Sequence, residues 1–315
     1  MDRNKIMKIN HPNYPTNQLT NHPTKLSIVF FGTPENAATT LERLIDTDFK
    51  PALVITGSDI QKGRGRNLQS TPVKEIADAN HIKVLEPQNL GQENFLKLFR
   101  DFSPDVAILI AYGKIIPSHV LTIPRHGFVN IHPSLLPKYR GPSPIYQALL
   151  NGDKKTGVTL IKLDAQLDHG PIIAQKELVI EANDTHESLA QRLAFLGADL
   201  LVETLPSYLN GSIKLNAQDE SKVVWTEKIT KEDGRIDLEN PPNPEKLDRM
   251  IRAFYPWPGV WAQVGKLRIK FLPGNLIQPE GKKPMTIKEF LNGYPQAKEV
   301  IEKLIKQERQ REEQM

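Results

Sequence analysis

The chain has 315 residues, 39% hydrophobic and 25% charged, which suits one large globular body or two ordinary ones and excludes wholesale disorder. It has no cysteine, so disulfides, thiol nucleophiles, iron–sulfur clusters and thiolate zinc sites are excluded. Lys and Arg number 41 against 37 Asp and Glu, a formal net charge of +4 that permits a polyanionic partner without demanding one.

Residues 1–24 are polar, rich in Asn, Pro and Thr, and lack apolar periodicity. They read as a flexible tail and lack the apolar core of a secretory signal. His11 and His22 within it have no fixed metal-ligand spacing. Residues 25–31 (KLSIVFF) predict a buried strand that stops at Gly32-Thr33-Pro34. Residues 35–47 then carry Ala37, Ala38, Leu41, Leu44 and Ile45 at helical spacing. A strand is expected over 52–56, a helix over 71–79 with Thr71 as its cap, a short strand at Val84 and a helix over 94–102. Residues 106–111 (VAILIA) are the most buried strand on offer. They are also the longest purely apolar run, six residues where a membrane span needs roughly 20. Strands over 128–131 and 157–163 enclose a helix over 145–151. This alternation predicts a mostly parallel α/β sheet with ligands at the carboxyl ends of its strands. The first strand does not lead into G-x-G-x-x-G, and there is no P-loop, so neither dinucleotide nor nucleotide-triphosphate binding has its usual support.

A linker-like turn at 209–212 (LNGS) precedes a smaller, β-rich module. Strands are expected there over 222–228 and 267–272, with a helix over 245–254 and many prolines between. Residues 211–295 are enough for a compact barrel but show few clear strands. The last 20 residues are highly charged, with a narrow apolar stripe at Val300, Ile301, Leu304 and Ile305. That stripe reads as a terminal helix docked on the body; an RNA- or partner-binding arm is the alternative.

The densest polar cluster follows the strand at 128–131: Asn130-Ile131-His132-Pro133-Ser134. Asn130 and His132 are two apart on extended backbone, so their side chains face the same way. A second patch, Asp164 and Asp168-His169, follows the strand at 157–163, and in a parallel sheet the two patches lie close together. An Asn, a His and an Asp in one cleft suit acyl transfer to an amine. Asn and His donate to an oxyanion, and His and Asp move protons. The bland alternative is that Asn130 and His132 stabilise a turn. Ser134 lacks the G-x-S-x-G context of a nucleophile. Metal binding by His132, Asp168 and His169 has no motif behind it. The basic loop Lys62-Gly63-Arg64-Gly65-Arg66 reads as a mobile phosphate-reaching segment or as ordinary surface charge.

The stretch N-I-H-P-S-L-L-P-K-Y-R-G-P-S-P-I, then N-G-D-K-K-T-G-V-T-L and L-D-H-G-P-I, resembles the core of the formyltetrahydrofolate-dependent formyltransferases. Within that group the methionyl-tRNA formyltransferases are the most similar. F-F-G-T-P-E, K-G-R-G-R, S-T-P-V-K, A-Y-G-K-I-I-P, R-A-F-Y-P-W-P-G and G-K-K-P-M extend the resemblance over most of the chain. The resemblance implies a Rossmann-like formyltransferase domain over 25–207, a linker over 208–222, a shortened OB-like tRNA-binding domain over 223–295 and the charged helix over 296–315. It implies transfer of the formyl group of 10-formyltetrahydrofolate to the α-amino group of methionyl initiator tRNA, with no metal, by a cytoplasmic monomer. The family's catalytic residues fall on Asn130, His132 and Asp168. Its folate-contacting segment falls on Ser134, Leu135, Leu136 and Pro137, with Lys114, Ile115 and Ile116 also near the folate. Its tRNA-contacting insertion loop falls on 62–66, with Arg64 the important arginine. The family's barrel strands are only partly represented after Phe271, which implies rearranged tRNA contacts. The alternatives are a sibling enzyme formylating glycinamide ribonucleotide or an amino-sugar nucleotide, a formyltetrahydrofolate hydrolase, or a non-catalytic RNA-binding relative. The glycinamide-ribonucleotide enzymes lack R-A-F-Y-P-W-P-G and the appended domain.

Overall fold

Strand β1 (Ile28–Gly32) is buried along its whole length, as its sequence IVFFG requires of a strand with both faces covered. A computed structural model describes residues 26–62, 67–299, 301 and 304. Helix α1 (Glu35–Ile45) follows, burying Ala37, Ala38, Leu41 and Leu44 on one face. Next come β2 (Leu53–Ile55), the antiparallel pair β3 (Ile60–Lys62) and β4 (Asn67–Gln69), and α2 (Pro72–Ala79). Thr71 caps α2 by accepting the Lys74 N–H at 3.2 Å. The chain continues through β5 (Lys83–Leu85), α3 (Glu93–Phe102), β6 (Val106–Ile110), the short α4 (Ser118–Leu121), β7 (Phe128–His132), β8 (Lys138–Arg140), α5 (Pro144–Asn151), β9 (Lys155–Lys162), β10 (Ile172–Val179) and α6 (His186–Leu209).

Seven of these strands form one sheet in the order β10-β9-β7-β6-β1-β2-β5. The five from β7 to β5 are parallel, while β9 runs antiparallel to β7 and β10 antiparallel to β9. Strand alternation sends β1 side chains to two different cores. Ile28 and Phe30 face the side covered by α1, α2 and α6; Val29 and Phe31 face α3 and α4. Phe31 anchors the second core edge-on to Phe99 and Tyr112, at centroid distances of 5.8 and 5.4 Å.

The remainder comprises β11 (Val224–Trp225), α7 (Pro244–Ala253), β12 (Val260–Val264), β13 (Leu267–Leu272), β14 (Leu276–Pro279), β15 (Met285–Thr286) and α8 (Ile287–Gly293). Strands β12 to β15 make a four-stranded antiparallel meander. Among the described residues this is one strand short of the five of a complete OB barrel. The strand expected over 222–228 is only Val224–Trp225, and it pairs with β8 of the first unit instead of joining the meander. Helix α7 packs on α5, and Leu247, Met250 and Phe254 share the buried cluster of the main sheet. Ile301 and Leu304, half of the expected apolar stripe, are buried in that same cluster. Residues 1–24 and most of 296–315 lie outside the described residues. Among the described residues, no helix is long and apolar enough to cross a membrane.

At the start of α6, His186 stacks on Tyr146 with ring centroids 3.9 Å apart, and burial pulls its imidazole down to about 4. The folded value lies below the unfolded one, so the unfolded chain binds the extra proton first. The contribution is full above about pH 6.5 and is lost as pH falls toward 4, by an amount on the order of 2–3 kcal/mol. Urea unfolding at pH 7 and pH 4.5 should show a loss of stability that shrinks by that amount in His186→Phe.

Candidate active site

Asn130 and His132 come from β7, the last of the parallel strands, and are only 7% and 4% exposed. Beyond His132 the chain turns through a cis Leu136–Pro137 bond into β8, where Tyr139 adopts a left-handed backbone (φ 68°). That conformation turns the Tyr139 carbonyl onto His132 Nε2, 2.9 Å away. A carbonyl oxygen only accepts, so Nε2 carries the hydrogen and Nδ1 is left to face the site. Facing Nδ1 at 3.6 Å is Asp168 Oδ1. That separation exceeds a direct hydrogen bond. The other oxygen, Oδ2, accepts the Gly141 N–H at 2.9 Å. The Asn130 carboxamide has no hydrogen-bond partner among the described residues, so its donors are available to a ligand.

The structure thus places Asp168 beside His132, but by a route different from the one expected. Strand β9 is antiparallel to β7: His132 pairs with Thr159, and Lys162, at the end of β9, pairs with Val129. The loop after β9 doubles back on itself, with Lys162 N donating to Pro171 O at 3.0 Å, and so carries Asp168 to the site. Asp164 and His169 form their own pair, Oδ2 to Nδ1 at 2.6 Å, and do not join His132. Among the described residues, no group of three His, Asp or Glu is placed to hold a metal ion.

Ser134, Leu135, Leu136 and Pro137 form the turn between β7 and β8. Ser134 is fully buried, and its hydroxyl donates to Lys138 O at 2.6 Å, which removes it as a nucleophile. Thr159 Oγ1 is the hub of the turn: it donates to Ser134 O at 2.6 Å and accepts from Leu136 N at 3.0 Å and Gln175 Nε2 at 2.8 Å. Gln175 Nε2 also donates to Leu136 O at 2.8 Å. These bonds tie the turn to β9 and β10. Leu136 is buried, and Leu135 and Pro137 are half-buried. Lys114 Nζ donates to Pro87 O at 2.8 Å, Ile115 is exposed and Ile116 is buried. Arg64 lies outside the described residues; β3 and β4 flank its loop.

Sequence reasoning missed Tyr139, Thr159, Gln175 and Gln218. Tyr139 lies inside the N-I-H-P-S-L-L-P-K-Y-R-G stretch, but nothing local to it marks a left-handed turn. Thr159 and Gln175 read as ordinary strand residues, and Gln218 as part of a linker.

A family model described as Formyl transferase matches residues 25–205, and one described as Formyl transferase, C-terminal domain, matches 228–277. A protein of Thermodesulfovibrio yellowstonii named methionyl-tRNA formyltransferase is 39% identical, covering 84% of this chain and 95% of that protein. One of the same name from Thermotoga maritima is 40% identical over 82% of each chain. Among solved structures, an N-formyltransferase of Helicobacter canadensis in complex with folinic acid and dTDP-3-aminofucose superposes with a TM-score of 0.60 at 20% identity, covering 80% of this chain and 94% of that one. At that identity it shows a shared fold. The sequence matches go further: this chain belongs to the formyl transferase family of enzymes.

Proposed function

We propose that this protein transfers the formyl group of 10-formyltetrahydrofolate to the α-amino group of methionyl initiator tRNA. One observation carries the reading. The chain aligns, over most of its length, with relatives named methionyl-tRNA formyltransferase, and it brings Asp168 to within 3.6 Å of His132.

The donor set fits a folate-borne formyl group. There is no cysteine, and Ser134 is spent on a backbone carbonyl, so neither a thiol nor Ser134 serves as a nucleophile beside His132. The folate supplies an activated formyl carbon, and the attacking group is the amine of the acceptor. As the new C–N bond forms, charge grows on the formyl oxygen and Asn130 donates to it. His132 acts through Nδ1, since Nε2 is held by Tyr139. Asp168 takes the proton that the amine must lose, and that proton is passed, by way of His132 Nδ1, to the folate nitrogen as its C–N bond breaks. Ser134, Leu135, Leu136 and Pro137 form the wall against which the folate lies, and Arg64 meets the acceptor end of the tRNA. Exposed bases at a single-stranded end are a common target in RNA recognition. The enzyme works as a cytoplasmic monomer.

Competition among acceptors tests this reading. Methionyl-tRNA, glycinamide ribonucleotide and an amino-sugar nucleotide are offered together with 10-formyltetrahydrofolate. Formyl should appear on the RNA alone; formyl on either small amine, with the RNA unmodified, would overturn it.

A further inference from the structure

The segment that joins the two matched regions, 206–227, is covered by neither family model. Its side chains nevertheless close around the catalytic loops. Gln218 Nε2 donates to two carbonyls of the Asp168 loop, Asp168 O at 2.8 Å and Gly170 O at 2.9 Å. Its other end, Oε1, accepts from Arg140 Nε at 2.9 Å. The Arg140 guanidinium forks onto Glu220, at 3.1 and 2.7 Å, although Arg140 is itself only 2% exposed. Arg140 O in turn accepts from Thr226 N and Oγ1, at 2.8 and 3.0 Å. The linker thus grips both loops that set the catalytic geometry. One carries Asp168; the other carries Tyr139, whose carbonyl orients His132.

Asp168 needs such a grip. Its backbone is left-handed (φ 47°), a conformation that Asp adopts more readily than most residues with a Cβ but that surrounding contacts help to hold. Gln218 is the residue that bonds the Asp168 carbonyl directly, and it ties that loop to the β8 strand through Arg140. We propose that Gln218 is a positioning residue for the Asp168–His132 pair, which makes the inter-domain linker part of the catalytic apparatus. The inference rests on the formyl-transfer reading only for its choice of assay.

The test uses the full chain with Gln218→Met, which keeps length and charge while removing donor and acceptor, and Gln218→Asn, which keeps the amide but is too short to span both loops. Neither variant alters the charged groups around the pair: Arg140, Glu220, Asp164 and His169. The expected result is a fall in kcat of about 10–100-fold for Gln218→Met and a smaller fall for Gln218→Asn, with KM for the formyl donor little changed. A role confined to holding the linker would not move the titration of a catalytic imidazole. That titration is therefore followed by NMR of histidine labelled with nitrogen-15, the His132 signal being assigned by its loss in His132→Ala. A displaced His132 midpoint in Gln218→Met supports the proposal. Wild-type kcat together with an unmoved His132 midpoint, in a variant that melts cooperatively, overturns it. If Gln218→Met does not fold, Gln218→Asn decides by the same two readings. The NMR readout needs no acceptor, so a wild-type enzyme that leaves methionyl-tRNA unmodified would sink the functional reading and still leave Gln218 tested.

Discussion

Asn130→Ala and His132→Ala should each lower the rate of formyl transfer by about 10²–10³-fold while leaving folate affinity nearly unchanged. The split follows from the geometry. In the proposed mechanism Asn130 and His132 act on the reacting groups and not on the folate-binding turn. The turn at 134–137 is held by Thr159 and Gln175, which neither substitution touches. Single-turnover kinetics with saturating donor would read the chemical step, and calorimetric titration with tetrahydrofolate would read the binding. Because the two side chains serve the same chemical step, the double variant should lose far less than the product of the single losses. Near-native turnover in both single variants would mean that the site has been placed on the wrong residues.

Gly170→Ala should be nearly as damaging without touching a reacting atom. A Cβ at this position would sit 1.8 Å from Lys162 O, a backbone atom inside the sheet pairing that cannot step aside. The Asp168 loop must move instead. That movement breaks the Gln218 contacts at Asp168 O and Gly170 O and carries Oδ2 off Gly141 N. A loss of roughly 3 kcal/mol or more in stability is expected, since the clash falls on backbone at a packed turn. In the folded fraction, turnover should fall by about 100-fold, as a misplacement near 1 Å commonly produces. Urea unfolding and kcat measured on the same preparation check both numbers. A variant as stable and as active as the parent would show that the loop tolerates displacement and that the position of Asp168 is not critical.

Much of the fold was legible because its elements obey simple periodicities. Strands β1 and β6 are unbroken apolar runs, α1 and α3 carry one-sided stripes, and Thr71-Pro72 announces the start of α2. Helix α6, the longest in the described residues, left no such stripe. It buries Leu189, Leu193, Leu200 and Leu201 against the sheet and shows other apolar residues toward α1 and α5, so its pattern is apolar nearly all round. The reversal of β9 was equally hidden, since a strand buried on both faces reads alike in either direction. At the site, the spacing of Asn130 and His132 put both side chains on one face of a strand, and the structure shows them there. The proximity of Asp168 was inferred from parallel strands, whereas it depends on a loop folding back. The part played by the linker was not legible at all. Gln218 acts through two backbone carbonyls and one guanidinium, and such contacts leave no pattern in a single sequence. Resemblance to a known family supplied what spacing alone left open, above all the identity of the transferred group.

The most direct test offers purified protein 10-formyltetrahydrofolate with methionyl initiator tRNA, and in parallel with methionyl elongator tRNA, and follows the aminoacyl group by mass spectrometry. Formylmethionine on the initiator, with the elongator left largely unmodified, is the expected result, and would show that a four-stranded module supports discrimination. An initiator tRNA that stays unformylated, in protein that still binds tetrahydrofolate, would contradict the central claim and turn attention to small-amine acceptors.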